Sequence, residues 1–136
     1  MKNLATALYS KLSGSDFFSN IGGRVYKDDA PDGTDYPYAV FMLISDVPEY
    51  TFSEQYESVQ IQFSIFSNAS GSTEIEDLYT NLKSLYDECS LSITSSALIW
   101  MRRQNATLMM EEHTTPSGIQ RVRHYAVDYE IYTSLD

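Results

Sequence analysis

The side chains able to do chemistry are few and scattered. His113 and His124 stand eleven residues apart, and the acids nearest them are Glu111, Glu112 and Asp128. Imidazole and carboxylate are metal ligands by type. The chain around both histidines reads as extended, and adjacent residues on a strand point to opposite faces. Glu111 and Glu112 therefore cannot close together on one ion. Asp28-Asp29 falls in a loop and would bind a cation weakly at best. Glycoside hydrolysis needs two carboxylates flanking one bond. Ser-His-Asp catalysis in its best-marked form needs a nucleophile on a strand-to-helix elbow. No spacing here supplies either. Walker, dinucleotide and zinc patterns are missing, and Gly22-Gly23-Arg24 is too short to cradle a phosphate. The sole cysteine, Cys89, stands between Glu88 and Ser90. Neighbouring carboxylates raise a thiol's pKa, so it reads as structural. Asn68-Ala69-Ser70 and Asn105-Ala106-Thr107 read as chance glycosylation matches. The expectation is a protein without catalytic residues, metal or cofactor, with its weight on binding or assembly.

Composition sets the frame. The chain has 136 residues, 43% of them hydrophobic and 21% charged. At about 100–200 residues per domain, one domain over 1–136 is expected, with enough apolar content to exclude wholesale disorder. No apolar run approaches the ~18 residues of a membrane span. The stretch Leu4–Leu12 lacks the basic start and cleavage site of a signal peptide, so the expected location is the cytoplasm.

The elements follow from periodicity. Leu4, Leu8 and Leu12 form one face of a short helix that Ser13-Gly14-Ser15 ends. Phe17, Phe18 and Ile21 then tuck the arm onto the core. Arg24-Val25-Tyr26 reads as a short strand after the Gly22-Gly23 turn, and Asp28–Pro37 as a loop. Tyr38–Ile44 is a compact apolar run, expected as a strand buried on both faces. Glu49–Gln55 reads as a long hairpin loop or extended arm. In Glu57–Ser67, Val59, Ile61, Phe63 and Ile65 alternate with Ser58, Gln60, Gln62 and Ser64, which marks a strand with one wet face.

Thr73 and Glu76 suit a capping box. Ile75, Leu78, Tyr79, Leu82, Leu85 and Tyr86 then predict the strongest helix, to about Cys89. Leu91–Ser96 is a loop or short extended piece. Leu98–Met101 and Ala106–Met110 predict two strands around Arg102–Asn105. Thr114–Gly118 is a hairpin loop, and Arg121–Thr133 a long final strand. Hairpin-linked strands with two helices predict an α+β sandwich: a mostly antiparallel sheet with helices on one face.

Charge is segregated. Nine basic residues stand against nineteen acidic ones, a net −10. That disfavours wrapping a nucleic-acid backbone. Asp28, Asp29, Asp32, Asp35, Asp46, Glu49, Glu54 and Glu57 fall where no Lys or Arg interrupts, between Lys27 and Lys83. Arg102, Arg103, Arg121 and Arg123 come later. Such polarity suits head-to-tail or side-by-side self-association, and a closed ring needs one patch to meet a different patch. The stretch Asp46–Tyr56 also carries Tyr50, Phe52 and Tyr56, aromatics of the kind enriched at interfaces.

Ile21-Gly22-Gly23-Arg24-Val25-Tyr26, then Ala30-Pro31, then Tyr36-Pro37-Tyr38-Ala39-Val40 is a distinctive succession. With the alternating Val59–Phe66 strand, the helix, and the closing Tyr125–Tyr132 strand, it resembles the tail completion or tail terminator proteins of long-tailed bacteriophages and prophages. The resemblance implies a small α+β subunit of a hexameric ring, monomeric when isolated in some cases. Such a ring caps the tail tube, halts its polymerisation and presents a surface to the head-side connector or stopper. Its partners would be copies of itself, the major tail tube protein and that connector. DNA would pass through without specific binding, and no membrane is involved. On this reading Asp46, Glu49, Tyr50, Phe52, Glu54, Tyr56, Arg102, Arg103, Arg121 and Arg123 are candidate interface residues. Asp28, Asp29, Asp32, Asp35, Glu111 and Glu112 are candidates for the channel wall. A small soluble α+β module binding a protein or small ligand, unrelated to virions, is the alternative; a hydrolase or metal enzyme is the third reading.

Overall fold

The computed structural model describes residues 2–135; Met1 and Asp136, the ends of the expected domain, lie outside the described residues. The order is α1 (Lys2–Leu12), α2 (Asp16–Asn20), β1 (Val25–Lys27), β2 (Tyr38–Tyr50), β3 (Gln55–Ser67), α3 (Thr73–Tyr86), β4 (Ser92–Ile93), β5 (Ser96–Thr115) and β6 (Gly118–Leu135). The strands form one half-barrel sheet in the order β1-β2-β3-β6-β5-β4. Only β1 and β2 are parallel; the other neighbours are antiparallel. The mostly antiparallel α+β expectation holds. The described helices number three, however, not two. The extra one, α2, has five residues, too few for periodicity to register, and begins where Ser15 Oγ accepts the Phe18 N–H at 3.2 Å.

One face of the sheet holds the core. Leu4, Leu8 and Leu12 of α1, Phe17 of α2, and Ile75, Leu78, Leu82 and Tyr86 of α3 pack with Phe41, Val59, Ile61, Phe63, Ile65, Val127, Tyr129 and Ile131. Phe63 is central. Its ring stacks on Tyr86 at 4.9 Å and meets Tyr129 edge-on at 5.9 Å. Removing such a ring typically costs about 3–5 kcal/mol. Tyr86 is fully buried, and its hydroxyl donates to the Leu8 carbonyl at 2.7 Å, tying α3 to α1.

Several expectations need correction. Tyr38–Ile44 is not buried on both faces: burial covers Ala39–Phe41, and Met42, Leu43 and Ile44 are exposed. The reason is that β1 flanks only Ala39–Phe41, so the rest of β2 is a sheet edge. The expected long loop is instead paired hairpin out to Tyr50 opposite Gln55, closed by the Thr51 N–H to the Glu54 carbonyl at 2.9 Å. Pairing satisfies backbone groups that a loose loop would leave to water.

The two strands expected within 98–110 are one twenty-residue β5. Its register shifts at Ile99 and Gln104. Each extra residue reverses the parity of alternation, which hides the continuity from a period-two reading. The hairpin loop shrinks to Pro116-Ser117, between β5 and β6. Helix α3 ends at Tyr86, short of Cys89, and no capping box forms. Its N-cap is Ser72, whose side chain makes no cap bond. Glu74 accepts the Ser67 hydroxyl at 2.7 Å instead. The final strand does lie in the same sheet as β2, with β3 between them.

Candidate functional site

The distinctive glycine, arginine and proline residues meet in space. Gly22 and Gly23 have φ of +68° and +73°, a backbone region costly for other residues, and they turn the chain out of α2. Arg24 folds over Gly22, where a Cβ would lie 2.5 Å from its Nη1. Its Nε donates to the Pro37 carbonyl at 2.9 Å. The Tyr36-Pro37 bond is cis. The motif therefore clamps the start of β2 to the α2–β1 turn.

On the helix-free face at this end lies an open cleft of about 1120 Å³, lined by Asp28, Asp32, Asp35, Tyr36, Tyr38, Phe66 and His113 among others. Three of the four loop aspartates thus share one concavity, and Asp29 is not among its walls. Behind it sits a network that sequence reading missed. The Glu111 carboxylate accepts from His113 Nε2 at 3.0 Å and from His124 Nδ1 at 2.8 Å. A carboxylate only accepts, so both ring nitrogens carry protons there. The Tyr36 hydroxyl then reaches His113 Nδ1 at 2.8 Å. Phe66 stacks on His124 at 4.3 Å and on Tyr38 at 4.8 Å.

Burial acts to raise the Glu111 carboxyl, but the hydrogen bonds from His124 and His113 outweigh it and hold it below its ordinary value. Burial, then the Glu111 charge, pushes the Tyr36 hydroxyl up. No group of three or more His, Cys, Asp or Glu able to hold a metal occurs among the described residues. The histidines are part of the fold's packing, not loose surface groups: their side chains are 26% and 14% exposed. The signal for this network was the shared parity of Phe66, His124 and Glu111 across strands, readable only once β3, β6 and β5 are known to be neighbours. Glu112 points the other way, exposed, opposite Arg121.

The acidic, aromatic arm is the far end of the β2–β3 hairpin. Tyr50 is 70% exposed and Phe52 at the tip is fully exposed. Glu54 accepts from the Tyr56 hydroxyl, and Glu49 from the Tyr132 hydroxyl at 2.7 Å. Tyr56, Tyr132 and Trp100 stack in a row across β3, β6 and β5, at 5.5 and 5.4 Å, and Arg102 lies 4.6 Å over Trp100. Burial and the neighbouring Asp46 together raise the Glu57 carboxyl.

The four arginines do not form one patch. Arg103 bonds Asp87 at 3.1 Å and the Tyr79 hydroxyl at 2.8 Å, and Tyr129 donates to the same Asp87 at 2.5 Å. Arg102 pairs with Glu88 at 3.1 Å on the surface. Arg123 donates to the Ala69 carbonyl at 2.9 Å, and Arg121 is exposed. Cys89 is half-buried; burial raises its thiol, with Asp87 and Glu88 adding and Lys11 opposing.

A half-barrel with helices on one face, exposed apolar edges and a bare aromatic tip has the surfaces of a subunit in a larger assembly. A family comparison agrees: the chain is a virion structural protein of the bacteriophage tail class. It belongs to the tail completion protein gp17 family, whose model matches residues 6–134. No curated protein matches the sequence. Among solved structures, one described as "Virion of native gene transfer agent (GTA) particle" contains a chain similar to this one. The TM-score is 0.64 at 13% identity, over 96% of each chain. A second, described only by a sequence identifier, has a TM-score of 0.50 at 14% identity, over 96% of this chain and 94% of that one. At these identities the likeness is one of fold. No described helix is long and apolar enough to cross a membrane.

Proposed function

We propose that the protein is one subunit of a six-membered ring that caps the tail tube, ends its growth and offers the head-side connector a surface to dock on. The observation that carries this reading is the family match over residues 6–134. The physical features fit it. The hairpin tip with Tyr50 and Phe52 projects apolar area into solvent, as a group that docks on a tube or connector subunit must. Asp46, Glu49, Glu54 and Tyr56 rim that tip, Arg102 and Arg103 lie on β5, and Arg121 and Arg123 lie on β6. A ring interface that joins unlike patches would set the β2 side of one copy against the β5 side of the next. The subunit acts by shape and charge, without bond chemistry, as one domain in the neck of the particle after assembly in the host cytoplasm.

Acidity suits a conduit for DNA. Six copies would carry about −60 in formal charge, and a negative wall repels phosphate so that DNA slides. Asp28, Asp32 and Asp35 of the β1–β2 loop and Glu111 of β5, on the bare face, are the acids proposed to face the passage; Asp29 is not on the cleft wall and Glu112 points to the other face, so neither joins them. Glu111 does so with its carboxylate already held by two histidines.

The test is termination in isolation. Purified protein added to polymerising tail tube protein is expected to shorten the tubes and leave ring density at one end in electron micrographs. Tube lengths independent of the added protein reject the proposal.

A further inference from the structure

The sheet ends in two open edges that match each other. On one side, β1 stops opposite Phe41, so among the described residues Met42–Tyr50 of β2 has a strand neighbour on one side only. On the other, β4 pairs only with Ser96 and Ala97. One further bond, from the Glu88 N–H to the Met101 carbonyl, continues that flank. Beyond it β5 has no second strand neighbour among the described residues. Both edges expose apolar side chains: Met42, Leu43, Ile44 and Val47 on β2, and Leu108, Met109 and Met110 on β5. Long apolar edges invite another strand.

Resting on the ring reading above, we infer that the β2 edge of one copy adds as an antiparallel strand to the β5 edge of the next, joining neighbouring sheets through their backbones. Direction supports this. β2, β3, β6 and β5 alternate in sense. Rotation about an axis along the strands therefore sets the next copy's β2 antiparallel to β5. Register supports it as well. Placing Leu43 opposite Leu108 puts Met42 opposite Met109 and Glu49 opposite Arg102.

Each of those pairs shares a face. Leu43 and Leu108 lie across from Ile61 and Tyr125 on the helix side; Met42 and Met109 lie across from Gln62 and His124 on the bare side. Glu49 reaches Tyr132 on that same bare side, and Arg102 lies over Trp100 in the same row. Each edge holds one extra residue, Ile44 in β2 and Gln104 in β5, between the apolar and the charged ends. The two offset each other, so the faces agree again at Glu49 and Arg102. The occupant is a second copy because thioether meets thioether and acid meets base at one register, Arg102 exchanging its exposed partner Glu88 for Glu49. Pro48, which has no N–H to give, stands on the β2 edge and blunts it.

Disulfide trapping tests this. In a Cys89→Ser background, Leu43→Cys and Leu108→Cys variants are mixed in a glutathione redox buffer, after thermal melts confirm that each folds. Opposed strand residues lie within disulfide reach. The mixed 43–108 disulfide is expected to exceed 43–43, 108–108 and a control with Asp77→Cys by roughly tenfold or more, because pairing raises effective concentration. Glu49→Arg alone or Arg102→Glu alone should lower that yield, and the two charge variants together should restore it. Equal yields for all cysteine pairs overturn the inference. The ring reading is judged separately, on one chain carrying both cysteines. Closure at six chains supports both readings; an open, lengthening ladder keeps the edge pairing and rejects the ring. Six-membered particles by light scattering with no 43–108 preference keep the ring and reject the edge pairing.

Discussion

Arg24 Nε donates to the carbonyl of Pro37 across 2.9 Å, joining two stretches of a motif that lie thirteen residues apart in the chain. The guanidinium lies against the bare backbone of Gly22, which explains why those residue types occur together. Arg24→Ala should release the start of β2 at a cost of about 1.5–3 kcal/mol, the range for hydrogen bonds to charged groups. Gly22→Ala meets both the positive φ and the Arg24 side chain, and should cost at least about 1 kcal/mol through the backbone alone. Denaturant midpoints unchanged in both variants would show that the clamp is idle.

Tyr86 pins α3 to the backbone of α1 from inside the core. Tyr86→Phe keeps the ring stack on Phe63 and leaves the Leu8 carbonyl without that donor. The expected loss is about 1–3 kcal/mol, the cost of an unmade buried hydrogen bond. A melting temperature equal to the parent's would mean that another donor reaches Leu8.

Glu111 gives the fold a defined acid sensitivity. Its folded-state pKa lies below the ordinary carboxylate value because the bonds from His124 and His113 outweigh burial. A depressed carboxylate stabilises the fold above its unfolded pKa and loses that contribution as pH falls through the folded one. Glu111→Gln should therefore melt below the parent near pH 7. The gap should start to narrow as pH falls below about 4.3, the ordinary Glu value, and close only at lower pH, as the parent's own carboxyl takes up a proton. A gap of constant size across that range contradicts the assignment.

The hairpin tip should be dispensable for folding and needed for assembly. Tyr50→Ser with Phe52→Ser removes exposed aromatics only, so stability should stay within about 0.5 kcal/mol of the parent. Particles made with this variant should lack the head-to-tail joint in electron micrographs. Normal particles would show that the tip meets no partner.

Much of the fold is legible in the residues themselves. The alternation of Val59, Ile61, Phe63 and Ile65 marked β3, and the Ile75–Tyr86 spacing marked α3, because each element has one face in one core. Where two extra residues shift β5, at Ile99 and Gln104, the same period is scrambled, and one strand looks like two. The capping box at Thr73 and Glu76 failed by one residue: the helix caps at Ser72, which puts the buried Ile75 where the box needs Glu. The His113–Glu111–His124 network was out of reach for another reason. Its members come together through strand order, which no local spacing encodes. The acidic loop and the aromatic tip were visible at once, being surface features that need no neighbour to be read.

The central claim is that this chain stops tail growth and makes the tail fit for a head. Negative-stain microscopy of particles produced without the protein addresses it most directly. The account predicts overlong tails with no heads attached, and restoration of normal length when the protein is supplied. Intact virions of ordinary tail length in its absence would contradict it.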